Sequence, residues 1–314
     1  MPFSVVAASL GPSPWCLGGA AWDRKLRLLS APLAGSSNPV TESCHPGGVA
    51  RNIAHTLRLL GFPVTLLSAW GDDSAGQTLA TDCNRLGIDI HAVRTIPGCI
   101  SGAYTAVLET DGNLHLGLAQ MEALEHLGPE TLRDTQALRA EAPLQIADLN
   151  LRQDTLTAWL GEPRQGLALL QGISEAKMAR LPEDLSRLDA LIVNAGEWWA
   201  GGGNTEMARR GLKRALVTQG AQGVRLGQWV EGQWSWTTLP AIPLDRAVDV
   251  TGAGDAFAAG VVAALLYRPE NWRGAAQFGQ HLSHLCLQSS TSVATRIQPG
   301  LLALFLQICS AYDN

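Results

Sequence analysis

The chain has 314 residues, 46% of them hydrophobic and 16% charged, with a formal net charge of -5. Such proportions fit a globular protein with a sizeable core, and without a Lys/Arg cluster they exclude the usual electrostatic footprint of a nucleic-acid-binding surface. Cys16, Cys44, Cys83, Cys99, Cys286 and Cys309 are scattered, with no C-x-x-C pair and no metal-ligand spacing, and read as reduced thiols of a cytoplasmic protein.

In chain order, residues 1–14 lack the basic start of a secretory signal and read as a lead-in to a first strand at residues 15–20. Residues 50–60 predict a helix, with Ile53, Leu57 and Leu60 on one face. A second strand is expected at residues 63–68, a helix at 75–86, and extended structure from 88 to 90. Residues 101–108 and 113–118 are strand-like and flank Thr110-Asp111-Gly112. There Asp-Gly predicts a tight hairpin whose two central residues both take positive φ. Such a hairpin breaks the surrounding pattern and suggests a lid over a site.

Further strands are expected at 145–149, 166–170, 190–194, 215–218 and 223–226, and the Trp-rich stretch 229–236 reads as a hairpin arm whose tryptophans pack. The apolar run Ala256 to Tyr267 is too short to span a bilayer. Strands alternating with helices, and no linker or repeat, predict one α/β domain over residues 1–314 with a mostly parallel sheet and helices on both faces.

Four segments carry possible chemistry. In Asp249-Val250-Thr251-Gly252-Ala253-Gly254-Asp255, a Gly-rich turn opens an apolar helix. The first N–H groups of such a helix lack partners and make an anion pocket, which backbone approaches closely where glycine has no Cβ. Asp255 beside it is placed to take a proton from an attacking hydroxyl, or else merely complements the helix dipole.

In His45-Pro46-Gly47-Gly48-Val49-Ala50-Arg51-Asn52, two glycines bring backbone near a sugar and Asn52 bonds its hydroxyls; an ordinary helix-opening turn looks the same. Asn194 and Glu197 close an apolar strand, where they either bear on Mg²⁺ or form a plain strand-to-helix turn. Thr218-Gln219-Gly220-Ala221-Gln222-Gly223 is either a nucleotide-cradling loop or a simple hairpin. No G-x-x-x-x-G-K-[ST] or G-x-G-x-x-G pattern is present, which disfavours P-loop and nicotinamide enzymes. His281 and His284 have no third metal ligand nearby in sequence.

Together, and in this order, the four segments resemble the PfkB or ribokinase family of carbohydrate and nucleoside kinases over residues 15–299, with 249–255 similar to its D-T-x-G-A-G-D signature. Residues 36–61 and 66–73 look most like pseudouridine kinases, which phosphorylate a ribose 5′-hydroxyl. The resemblance implies a ribokinase-like fold with a small β lid from about residues 23–45 and 98–119. It implies ATP and Mg²⁺ as cofactors, K⁺ as a further one, a sugar or nucleoside substrate, no membrane partner, and a homodimer through the lid.

It further implies Asp255 as the base and the N–H groups of Gly252, Ala253 and Gly254 as the anion hole. Asp23, Gly47, Gly48 and Asn52 would bind the ribosyl substrate. Asn194, Thr218, Gly220 and Gly223 would line the ATP site, Glu197 would act on Mg²⁺ through water, and Asp249 and Thr251 would hold K⁺. Two positions depart from the family pattern: Ala21 stands where Asn is common, and Gln171-Gly172 where Asp-Pro is usual. Another sugar kinase, such as a fructokinase or ribokinase, is the nearest alternative. A catalytically silent sugar- or nucleotide-binding regulator on the same fold is the more distant one.

Overall fold

The computed structural model describes residues 13–312, so nearly all of the lead-in expected over residues 1–14 lies outside the described residues. Among those described, the strands are β1 (Trp15–Leu17), β2 (Ala21–Leu28), β3 (Val40–Gly47), β4 (Thr65–Leu67), β5 (Ala69–Gly71), β6 (Arg94–Ile96) and β7 (Ala103–Leu108). They continue as β8 (Leu114–Gln120), β9 (Leu144–Asp148), β10 (Leu167–Gln171), β11 (Ala190–Asn194), β12 (Arg214–Thr218), β13 (Val224–Val230) and β14 (Gln233–Leu239). Eight of them form one sheet in the order β14-β13-β12-β11-β10-β9-β1-β4. All neighbours from β4 across to β12 are parallel, and β13 and β14 add an antiparallel edge.

A parallel sheet has to be covered on both faces, and the side chains of β1 divide accordingly. Cys16 enters one core with Ile53, Phe257 and Phe278, while Trp15 and Leu17 enter the other with Trp159 and Leu191. The strand order reverses at β1, which lies between β4 and β9. Such a reversal opens a crevice at the carboxyl ends of the strands, and this is the architecture of the ribokinase-like fold.

The helix Ala253–Tyr267 is apolar on all sides, and each residue from 256 to 265 is buried. It packs against the helices Val49–Leu59 (α1) and Trp272–Leu287. Close approach to the latter depends on two glycines: a Cβ on Gly260 would lie 2.7 Å from Gly279 Cα, and one on Gly279 would lie 2.7 Å from Phe257 O.

The chain leaves the main sheet twice to build a second one, the β lid, in the order β3-β2-β7-β8. β2 pairs antiparallel with β3 and parallel with β7, which pairs antiparallel with β8. Strands β3 and β8 are largely exposed, and Leu114, Leu116 and Leu118 stand in solvent. β5 and β6 form a separate parallel pair; β6 was not expected, and residues 88–90 contribute only an isolated bridge between Thr65 and Asp89.

The turn between β7 and β8 corrects the sequence expectation. Only Gly112 has positive φ there; Asp111 instead accepts from Asn113 N at 2.9 Å, and Gly112 N closes on Glu109 O at 2.9 Å. A two-residue turn with both centres at positive φ occurs at Glu231 (51°) and Gly232 (82°), joining β13 to β14. The tryptophans near it do pack: Trp234 and Trp236 stack, and Trp198 meets both edge-on at 5.5 and 5.4 Å.

Substituting Gly260→Ala forces the paired helices apart and is expected to lower stability by about 1–3 kcal/mol, the usual cost of overpacking. Urea unfolding of the variant against the parent measures this.

Candidate active site

Asp255 lies in the first turn of the helix Ala253–Tyr267, whose N-cap Gly252 is left-handed (φ 82°). That φ favours glycine, and a Cβ there would also collide with Ser292 O at 2.0 Å. No described residue accepts from the N–H groups of Gly252, Gly254 or Asp255, and Ala253 N makes a single long turn contact of 3.4 Å to Val250 O. The turn therefore keeps free donors at the positive end of a fifteen-residue helix. Gly254 is exposed beside them, with Gln171 Nε2 at 3.8 Å from where a Cβ would sit. Asp255 and Gly254 line a cleft with Gln171, Asn194, Glu197 and Thr218, at the carboxyl ends of β10, β11 and β12.

The Asp255 carboxyl is pushed up to about 7. Burial is the main cause, nearby Asp23 and Asp148 add to it, and a hydrogen bond from Asn52 Nδ2 to Asp255 Oδ2 at 2.9 Å opposes it. Asn52 comes from the first turns of α1, and its Oδ1 accepts from Arg51 Nη1 at 3.1 Å. One of its Nδ2 hydrogens thus serves the carboxylate.

Gly48 caps α1 at φ 92°, and a Cβ there would lie 2.6 Å from Gly19 O. At Gly47 a Cβ would lie 2.0 Å from Asp23 Oδ2, so this glycine makes room for the Asp23 carboxylate on β2. Asp23 is raised to about 6 by burial, against the lowering pull of Lys25 and Arg51. Asp23, Gly47, Gly48 and Asn52 are thus gathered where the lid strands β2 and β3 meet the start of α1.

Sequence reasoning missed Asp148. This residue ends β9 and is fully buried. Its Oδ2 accepts from Gly19 N at 2.8 Å and Ala50 N at 3.0 Å, and its Oδ1 from Asn150 N at 2.8 Å. It ties β1 and the start of α1 to β9, replacing the side-chain cap that Gly48 cannot supply. Its carboxyl is raised by burial despite those bonds. A polar residue closing an apolar strand was the available signal, the same signal that marked Asn194.

On the other side of the cleft, Asn194 and Glu197 form a capping box: Asn194 Oδ1 accepts from Glu197 N at 2.8 Å, and Glu197 Oε2 accepts from Asn194 N at 2.9 Å. Glu197 is buried, and burial, with Glu175 nearby, raises its carboxyl against the Asn194 N–H. Its Oε1 accepts no hydrogen bond from the described residues, which leaves a hard oxygen at the cleft. That donor fits a hydrated Mg²⁺. Thr218 Oγ1 lies 3.4 Å from Val193 O and faces the same cleft.

Gly220 sits on an exposed 3₁₀ turn, and Gly223 (φ 93°) packs against the carbonyl of Leu239. The segment turns between antiparallel β12 and β13, just beyond Thr218 at the cleft. Buried Gln171 leaves its Oε1 without a partner there. Ala21, the other departure, is fully buried at the start of β2.

Asp249 and Thr251 do not fit the expected K⁺. One Asp249 oxygen takes Thr251 N at 2.8 Å, and the other is ion-paired to Lys25 Nζ. Thr251 O faces the Cys286 thiol at 3.6 Å. The Asp249 carboxylate is already engaged by groups of the chain itself, one of them positively charged. Lys25 was not singled out in the sequence, although D-x-K on one strand places Asp23 and Lys25 on one face.

The cleft sets free backbone donors, which suit an anion, beside a carboxyl whose pKa is raised, an arrangement compatible with phosphoryl transfer. The sequence model for the pfkB family carbohydrate kinases matches residues 25–297. A pseudouridine kinase of Escherichia coli strain K12 is 29% identical over 238 residues, covering 72% of this chain and 74% of that protein. Among solved structures, a carbohydrate kinase from Agrobacterium tumefaciens is 28% identical, with a TM-score of 0.77 and coverage of 95% and 97% of the two chains. The ribokinase of Giardia lamblia superposes with a TM-score of 0.81 over 95% and 99% at 17% identity, a likeness of fold. The chain belongs to the pfkB family of carbohydrate kinases, enzymes that transfer phosphate from ATP to an alcohol group.

A raised carboxyl has a consequence for stability. An unfolded aspartate ionises near 3.8 and native Asp255 near about 7, so the native state binds its proton more tightly. Stability is then lost as pH rises through that window, and the ionised group is a liability above it. Asp255→Asn is expected to gain on the order of 1–3 kcal/mol at about pH 8 and nothing near pH 3. Denaturant unfolding at the two pH values measures the difference.

Proposed function

We propose that this kinase phosphorylates a ribosyl hydroxyl, with pseudouridine as acceptor and pseudouridine 5′-phosphate as product. The single observation that carries the chemistry is Asp255 beside the unpartnered amides of Gly252 and Gly254, held by Asn52 from the sugar-side loop. The acceptor is supported by the 29% identity to a pseudouridine kinase. Residues 1–314 act as one kinase unit, with the four-stranded sheet as its lid.

Asp23, Asn52 and the backbone at Gly47 and Gly48 hold the ribosyl hydroxyls. Asp255 removes the proton of the attacking hydroxyl as its oxygen bonds to the γ-phosphorus. The bond from that phosphorus to the β–γ bridging oxygen breaks, and ADP leaves with the electron pair. Amides of Gly252, Ala253 and Gly254 stabilise the charge spread over the transferring group, an effect strongest where water is excluded. Asn194 and Thr218 bear on ATP, while Gly220 and Gly223 shape the adjoining turn. Glu197 would hold Mg²⁺ through water, and the ion would supply positive charge to the phosphates. A base with a pKa close to the working pH is the favourable case for proton transfer.

The three exposed leucines of β8 support a homodimer in which two lids pair, since a solvated apolar edge strand invites a partner. Leu116→Lys is expected to turn a dimer into a monomer in sedimentation. ATP as donor, with Cys16, Cys44, Cys83, Cys99 and Cys286 as free thiols, goes with a cytoplasmic enzyme. No helix among the described residues is long and apolar enough to cross a membrane.

ADP release with pseudouridine, ribose and fructose tests the acceptor: pseudouridine is expected to be turned over fastest, and turnover of fructose alone rejects it. Asp255→Asn is expected to lower kcat by about 10²–10⁴-fold. The acid limb of kcat/KM in the parent is expected near about 7. Asn52→Leu removes the bond that lowers the pKa and moves the limb up, and Asp23→Asn removes a repelling charge and moves it down. Both shifts are read from pH–rate profiles.

A further inference from the structure

The segment that leads into the Gly252 turn is held from across the molecule. Lys25 of β2 makes an ion pair with Asp249 Oδ2, joining residues 224 apart in sequence, and the two side chains are only 11% and 20% exposed. Asp249 Oδ1 accepts from Thr251 N at 2.8 Å, so both oxygens of the carboxylate are engaged. The carbonyls of Thr251 and Ser292 lie 3.6 and 3.4 Å from Cys286 Sγ. Ser292 O is also the atom against which Gly252 is packed.

Two features make this pair more than a surface contact. Lys25 lies two residues from Asp23 on the same face of the lid, and Asp249 lies three residues before the turn that offers its amides to phosphate. A single ammonium therefore fixes the lid's sugar-binding strand and the anion turn relative to one another. A second cation beside Asp249 would meet the Lys25 charge in a poorly solvated place, where like charges repel strongly.

We propose that the Lys25 ammonium is a built-in monovalent cation, a positioning residue that neutralises Asp249 and orders the anion turn, so that this kinase works without K⁺. The proposal rests on the role given above to the Gly252 turn, but it is read from cation response rather than from the base. Failure of Asp255→Asn to lose activity would strike the earlier reading alone.

The test is the melting temperature and ADP release of the full chain in KCl, NaCl and tetramethylammonium chloride at equal ionic strength. The parent is expected to melt within about 1 °C in all three salts and to change turnover less than about two-fold. Selective stabilisation by KCl of about 2 °C or more, or activation beyond that range, overturns the proposal. Lys25→Met uncovers the carboxylate, and this variant is expected to melt lower in tetramethylammonium and to recover about 2 °C or more, with turnover, in KCl. A Lys25→Met protein indifferent to K⁺ makes the pair a structural tie only and also overturns it. If that variant cannot be purified, Lys25→Gln takes its place, and the parent's salt series remains decisive against the proposal.

Discussion

The carboxylate of Asp255 sits partly buried at the wall of the cleft with one hydrogen bond, from Asn52, to offset its burial. An ionised group in that state is costly, and the surrounding structure is arranged so that the cost is borne in one place. Asn52 can reach it only because α1 begins where it does. That start is fixed by Asp148, which takes Ala50 N and Gly19 N with one oxygen. Asp148 closes β9, next to the strand at which the sheet order reverses. From the topological switch point, the path to Asp255 thus runs through Asp148, the start of α1 and Asn52.

The site is acidic, and its charges are sorted by side. Asp23, Asp148 and Asp255 are all raised by burial, whereas Asp249 is held ionised by Lys25. Arg51, which lowers Asp23, is itself ion-paired to Asp82 of the helix Ser74–Leu86. Glycine does the complementary work at two positions. Gly47 makes space for the Asp23 carboxylate, and Gly252 lets the chain turn against Ser292 O. Neither position has room for a side chain, so the acids, the lid and the anion turn are held in a single arrangement.

Much of this was legible in the chain itself, because local signals coincide with function where backbone must do something unusual. The turn at Gly252 and Gly254 and the cap at Gly48 announce themselves through glycine beside an apolar helix. The parallel strands of the main sheet read clearly because each is buried on both faces over most of its length. Half of the lid read too, since β7 and β8 fall on the strands expected at 101–108 and 113–118, but β2 and β3 did not: β3 has no core face to impose alternation, and β6 is only three residues long. Asp111-Gly112 promised a tighter turn than it makes, since Asp111 found a local backbone partner at negative φ. Asp148 and Lys25 act on residues 98 and 224 positions away, and no local pattern encodes a partner at that distance.

The account stands on an Asp255 that holds its proton to near neutrality. Carbon NMR of the aspartate side-chain carboxyls, with the Asp255 signal assigned by its loss in Asp255→Asn, reads that directly. The predicted midpoint is near about 7. A midpoint close to 3.8, the value for an aspartate in water, would mean that the carboxylate is freely solvated, and the described cleft would no longer explain a base.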